Sequence, residues 1–350
     1  LANAAIAEPI VMTIVMMEGL SGPTVQSIGE QGLLQRLQKF CPAGVVGDDG
    51  AVLQVAPDRL LVVTTDVLVD GVHFSVGLAN PIVTTPPHAA GFRAAAANLS
   101  DLAAMGAVPI GITIGLSVPP HLSVAWIESL YEGLVDCLGT VPIVGGDVVR
   151  SAVFSVAITA FGDVKADRVI QRSMAQVGDV IVMTGIHGRS RVGLELLLGH
   201  DLGLDPVVRS ACICAHQYPN PRLDLLPYLP LLIPAGMDSS DGLADAVVQI
   251  CRSSRVGARL EGSAIFNHAD VIAIRNAVGS EKAIDWVLYG GEDFELVLCM
   301  NPESAAEFCA ITGSYRIGIV TEDLEVRIIN LPDGAEDRVL AIDRGFQHFP

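Results

Sequence analysis

Six times along this chain of 350 residues, an acidic side chain falls where an apolar run or a glycine turn gives way to a loop or helix. The places are GDDGA (Asp48, Asp49), TTD (Thr64, Thr65, Asp66), NLSDLAAMGA (Asn98, Asp101), VGGD (Asp147), DSSDG (Asp238, Asp241) and GGED (Glu292, Asp293). A carboxylate at the end of a hydrophobic run is costly to bury unless something compensates it. A divalent cation such as Mg2+ does so, drawing oxygen ligands from carboxylates, waters and substrate phosphates. The competing explanation is local: Asp beside Gly is ordinary turn chemistry, and Asp238 or Ser239 ahead of a helix reads as a cap. In a chain only 17% charged, the six together point toward a polynuclear metal site, although spacing alone does not make them converge.

The length suggests about two domains, and 51% hydrophobic residues suffice for sizeable cores. A formal net charge of -18 repels nucleic-acid phosphates and anionic lipid, so neither a nucleic acid nor a membrane surface is an expected partner. Seven cysteines, an odd number, make no disulfide framework and read as reduced thiols of a cytoplasmic protein. The opening LANAAIAEPIVMTIVMM lacks Lys and Arg and carries Glu8 and Pro9, unlike a signal peptide. It is also too short and interrupted to span a bilayer. Residues 1–17 are read as an extension without a functional part, followed by domains at 18–162 and 163–350.

Periodicity predicts helices at 27–40, 88–106 and AWIESLYEGLVDCLG, and a further helix, SSDGLADAVVQICRSS, with a capping start. GDDGAVLQV and LLVVTTD read as neighbouring strands, joined by further strands at IGITIGLSV, FSVAITAFG and VPIVGGD, the last running into a Gly turn. After a looser stretch at 162–178, DVIVMTG, LYGGEDFELVLCM, RIGIV and LEVRII supply strands, and RVGLELLLG a helix. Strands and helices alternate in both halves, so the expected class is α/β (α+β) in two domains.

Several phosphate-handling motifs are missing. There is no Walker loop, and no G-x-G-x-x-G follows a first strand with an acid some twenty residues on. Protein-kinase signatures and a G-x-S-x-G elbow are absent as well. A chain of this kind that handles phosphates must do so mainly through metal bridges, which invert the local field.

GDDGAVL, VVTTDVLVDGVHF, NLSDLAAMGAVP, VGGDVVRS, DSSDGLADAVVQI and GGEDFELVL, in order between about Ser27 and Phe349, resemble the thiamine-monophosphate kinase family of the aminoimidazole-ribonucleotide-synthetase-like superfamily. The resemblance implies a two-domain fold in which the amino-terminal sheets of a homodimer share a β-barrel. It also implies phosphorylation of thiamine monophosphate by ATP to give thiamine diphosphate. Asp49, Thr64, Thr65, Asp66, Asp101, Asp147, Asp238 and Asp241 would ligate several Mg2+ ions, with Asp48 outside them and Asp66 and Asp147 most critical. His73, Glu292 and Phe346 would meet the thiamine substrate, and Gly146, Asp147, Arg172, Ser240 and Tyr131 the nucleotide. The attacking phosphate oxygen is already ionised near neutral pH, so no general base is expected.

Two departures stand out. The usual GGDTTR reads GGDVVR, with Val148 and Val149 in place of hydroxyls, and TGIHGRSRVGL carries Arg189 and Arg191 where the pattern usually has an Asp after its second Gly. The rival readings are another ATP-using enzyme of the superfamily, such as aminoimidazole ribonucleotide synthetase or a hydrogenase-maturation dehydratase, and a non-catalytic thiamine-phosphate or nucleotide sensor. The presence of every expected metal acid argues against the sensor.

Overall fold

The computed structural model describes residues 22–42, 53–229 and 235–345. Helix α1 (Val25–Leu37) leads to β1 (Arg59–Val69), α2 (Pro87–Ala104), β2 (Val108–Val118), α3 (Val124–Leu138), β3 (Ile143–Arg150) and β4 (Ser155–Lys165). Then come β5 (Val180–Met183), α4 (Arg189–Leu197), α5 (Pro206–Gln217), β6 (Ala235–Asp238), α6 (Leu243–Ser254), β7 (Gly257–Glu261), α7 (Gly262–Phe266), α8 (Ala269–Val278) and α9 (Ser280–Tyr289). The chain closes with β8 (Leu296–Met300), α10 (Pro302–Thr312), β9 (Tyr315–Thr321), β10 (Val326–Ile329) and β11 (Arg338–Val339). Strands β1-β4-β2-β3 make one sheet and β11-β10-β7-β9-β5-β8-β6 another.

Two compact units interleave along the sequence. The first takes the chain to Leu53, Thr65–Ala95 and Gly111–Thr159; the second takes Gln54–Thr64, Ala96–Ile110 and everything from Ala160. In the first, α3 is amphipathic and buries Ile127, Leu130, Leu134 and Leu138, at helical spacing. It crosses α2 at backbone contact distance: a Cβ on Gly91 would lie 1.8 Å from the Leu130 carbonyl oxygen, so no larger residue fits there. In the second unit, α6 turns Leu243, Val247 and Ile250 into a core shared with Leu260 of β7, Val297 of β8 and Ile284 of α9. A separate cluster joins Ala103, Ile170, Val182, Leu298 and Phe308.

Most of the expected elements form, with informative exceptions. GDDGAVLQV was expected as a strand; its described part, from Leu53 on, is not one, and the rest lies outside the described residues. VPIVGGD does not end in a turn, because β3 continues through both glycines and Asp147 to Arg150 by pairing in parallel with β2. DSSDG does not cap a helix. Asp238 closes β6, and α6 starts later, behind Gly242 and without a side-chain cap. Helices α5, α7, α8, α9 and α10 and strands β6, β7 and β11 were not anticipated. Among the described residues no helix is long and apolar enough to cross a membrane.

Candidate active site

In the first unit the acids are presented by strands. Along β1, whose residues up to Thr64 belong to the second unit, Val62, Thr64 and Asp66 are partly buried, whereas Leu61, Val63, Thr65 and Val67 are exposed. Successive side chains alternate between faces, so Thr65 looks away from Asp66, and its hydroxyl lies 2.9 Å from that of Thr159. Asp147 stands exposed in mid-strand opposite Gly115, its Oδ1 accepting a 2.9 Å bond from the Val148 N–H. Gly146 before it touches β2 so closely that a Cβ would sit 2.4 Å from the Ile114 carbonyl oxygen. His73 follows β1, and its Nδ1 accepts from the Val69 N–H at 3.0 Å, which places the neutral ring's proton on Nε2. The loop carrying His73 is pinned by buried Asp70, which accepts from the Val76 (2.9 Å) and Ala79 (2.6 Å) amides. Tyr131 is 5% exposed, packed 5.3 Å from the Phe40 ring, and burial pushes its phenol well up.

In the second unit the site groups gather at one end of the sheet. Antiparallel pairing sets Asp238, the last residue of β6, against Leu296, the first of β8, and Met183, the last of β5, against Val297. The loops after β6 and β5 and the loop before β8 therefore meet. These are DSSDG, TGIHGRS and GGEDFE. The Glu292 N–H donates to the Ser240 carbonyl at 2.6 Å, and the Ser239 N–H to the Glu295 carbonyl at 2.8 Å. Gly291 is required here, since a Cβ would come 2.4 Å from the Ser240 oxygen.

Asp238 is buried and accepts from the hydroxyls of Ser100 (2.8 Å) and Ser240 (3.2 Å). Asp101 accepts from the Thr64 hydroxyl. Burial raises its carboxyl above the usual range, opposed by that bond and by the charge of Arg172. Arg172 itself donates to Gln249 at 2.6 Å, and Asp241 is exposed. Thr64 with Asp101, Asp238 with Ser240 and Ser240 with Glu292 are thus expected site residues brought into direct contact. Asp48, Asp49 and Phe346 lie outside the described residues.

Behind these groups lies a buried polar frame. Asp293 accepts from the Gly188 N–H (2.6 Å) and the Ser190 N–H (2.8 Å); burial pushes its carboxyl up to about 7, against the pull of those two donors. Glu295 accepts from Thr184 (2.6 Å) and pairs with Arg222 (2.5 Å). His187 Nε2 lies 2.8 Å from Ser239 Oγ, and burial pulls its imidazole down to about 3. Ser100, His187 and Glu295 were not foreseen as site residues, and Asp293 was counted among the six acidic places without a role of its own. Ser100, His187 and Asp293 all sit inside quoted strings (NLSDLAAMGA, TGIHGRSRVGL and GGED), but their partners lie 52 to 138 residues away along the chain. The two departing arginines face groups of this same unit: Arg189 pairs with Asp270, and Arg191 with Glu195 while lying 5.9 Å over the Trp286 ring.

The donors are carboxylates and hydroxyls, the oxygen chemistry that suits a hard cation. Among the described residues no three His, Cys, Asp or Glu side chains stand ready to hold one ion together. An ion bound here would complete its shell with water and phosphate, as Mg2+ commonly does.

Residues 47–164 match the AIR synthase related protein, N-terminal domain, and residues 176–329 the corresponding C-terminal domain. Thiamine-monophosphate kinase of Synechococcus elongatus is 48% identical over 94% of this chain and 99% of its own length. That of Escherichia coli K12 is 33% identical over 87% and 91%. Among solved structures, thiamine-monophosphate kinase from Stenotrophomonas maltophilia superposes with a TM-score of 0.72 at 28% identity, covering 85% of this chain and 96% of its own. AaThiL complexed with AMPPCP and TMP gives 0.70 at 27% identity, covering 91% and 99%.

Proposed function

The chain belongs to the thiamine-monophosphate kinase family of AIR synthase related proteins, and from that premise we propose how its residues perform the reaction. It is a kinase that transfers the γ-phosphoryl group of ATP to thiamine monophosphate, giving ADP and thiamine diphosphate. The observation that carries the residue-level reading is the meeting of DSSDG and GGED at one end of the second sheet, through the Glu292–Ser240 and Asp238–Ser240 bonds.

Both reactants are anions, so the chief obstacle is mutual repulsion, and positioning with charge screening supplies most of the catalysis. Magnesium, when bound, supplies that screening and stabilises charge on the attacking and leaving oxygens. Asp49, Thr64, Thr65, Asp66, Asp101, Asp147, Asp238 and Asp241 would hold the ions. Arg172, Ser240 and Gly146 meet ATP, with Tyr131 at the adenine. His73 presents its Nε2 proton to the thiamine phosphate, and Glu292 and Phe346 line the thiamine pocket. No side chain needs to act as general base, because the acceptor oxygen is already ionised.

The enzyme works as a cytoplasmic homodimer whose amino-terminal sheets close into a shared barrel. Its support is the apolar outward row on β1, where Leu61, Val63 and Val67 are 49%, 53% and 49% exposed. An unpartnered apolar row of this kind is expected to find a cover. Light scattering at micromolar concentration should give twice the chain mass, and Val63→Asp should give the monomer; a monomeric wild type would exclude the barrel. The activity itself is tested by mixing the protein with ATP, Mg2+ and thiamine monophosphate. Equal amounts of ADP and thiamine diphosphate are expected, and ADP without thiamine diphosphate would overturn the reading.

A further inference from the structure

Asp293 sits between two residues of unusual backbone. Glu292 and Phe294, neither a glycine, have φ values of 68° and 52°. Such conformations are disfavoured for residues with a Cβ and persist only where the surroundings over-determine them. Two main-chain bonds hold the ends of this turn: the Glu292 N–H reaches Ser240, and the Glu295 carbonyl receives the Ser239 N–H. Between them the turn is held by the Asp293 carboxylate, both of whose oxygens are engaged, Oδ2 by the Gly188 amide and Oδ1 by the Ser190 amide.

Those donors open helix α4, whose N-cap is Gly188 and therefore has no side chain with which to satisfy them. The first amides of a helix need an acceptor and favour a negative one. Asp293 provides it from 103 to 105 residues away along the chain. The contact is thus reciprocal: α4 gains its cap, and the strained turn gains a fixed centre. Phe294, 6% exposed, anchors the far side in the core.

We infer that Asp293 is a positioning residue for thiamine monophosphate, holding Glu292 in its binding orientation by locking the GGED turn onto the start of α4. This rests on the reading that Glu292 lines the thiamine pocket. Without the lock, the turn relaxes toward ordinary φ values and carries the Glu292 side chain away. Asn is isosteric but turns an amide NH2 toward one of the two N–H donors, so Asp293→Asn breaks the lock while preserving volume.

The test is a double-mutant cycle on steady-state kinetics with Glu292→Gln, Asp293→Asn and the pair. Asp293→Asn should raise KM for thiamine monophosphate roughly tenfold and leave KM for ATP within about twofold. In the Glu292→Gln background the same substitution should add almost nothing to that KM. Independent, multiplying effects of the two substitutions would overturn the positioning role, as would an unchanged KM in Asp293→Asn. An unchanged KM in Glu292→Gln alone would instead remove the pocket assignment of Glu292. Gly188→Ala disturbs the same contact from the donor side, since Gly188 has φ 88° and a Cβ would press on Val287. If Asp293→Asn does not fold, Gly188→Ala carries the cycle: a selective rise for thiamine monophosphate that vanishes with Glu292→Gln is expected, and an unchanged KM overturns the role.

Discussion

The acids of the two units live in different physical worlds. Asp147 in the first stands exposed in mid-strand and accepts from the next residue's amide. Asp238 in the second is 2% exposed and takes hydroxyl bonds from Ser100 and Ser240. A carboxylate that costs nothing to solvate can be spared by the fold and kept for chemistry. One that is buried must be paired to exist at all, so it is part of the fold and of the site together. Removing each kind of acid should therefore fail in a different way.

The largest effect is expected from Asp147→Asn. Loss of a ligand for transition-state charge should lower kcat by roughly a thousandfold or more, while thermal unfolding stays within about 2 °C of wild type. Near-normal kcat in the purified variant would remove Asp147 from the metal site. Asp238→Ala should lose turnover too, and also about 2–3 kcal/mol of stability in urea unfolding, because the buried Ser100 hydroxyl and the partly buried Ser240 hydroxyl lose their acceptor. An unchanged unfolding midpoint would show that the buried pairing contributes nothing to the fold.

A pH series sharpens the same contrast. His187 is neutral in the folded protein, pulled from 6.5 to about 3 by burial. Below pH 6.5 the unfolded chain binds a proton there that the folded chain refuses, so the stability this group provides is whole above that pH and is lost as pH falls toward 3. Between pH 7.5 and 5 this one group should cost about 2 kcal/mol. His187→Gln should flatten that part of the slope, and parallel slopes in the two proteins would refute the assignment. Smallest is His73→Ala in the first unit, expected to raise KM for thiamine monophosphate about tenfold with little change for ATP. A defect confined to ATP would show that His73 serves the other substrate.

Sequence reading was strongest where signals are local. The apolar periods of α3 and α6, the β-branched run of β2 and the ordered acidic strings are visible residue by residue. It failed where strand pairing overrides local chemistry. GGD looks like a turn, but in-register pairing with β2 keeps it extended and leaves Asp147 exposed in mid-strand. DSSD looks like a helix cap, but Asp238 is committed to β6 and to Ser100, 138 residues away. The alternation of β1 likewise turns Thr65 from Thr64 and Asp66, although TTD reads as one motif. The frame behind the site was hidden for the same reason, since Asp293, Glu295 and His187 acquire partners only when three distant loops meet.

Metal-bridged transfer held by these aspartates is tested most directly by the magnesium activation curve of Asp147→Asn beside that of the wild type, with thiamine diphosphate as the measured product. If Asp147 carries an ion, the variant should need at least about tenfold more magnesium for half-maximal turnover or show no activation in the measurable range. Superimposable curves with equal maximal rates would contradict it.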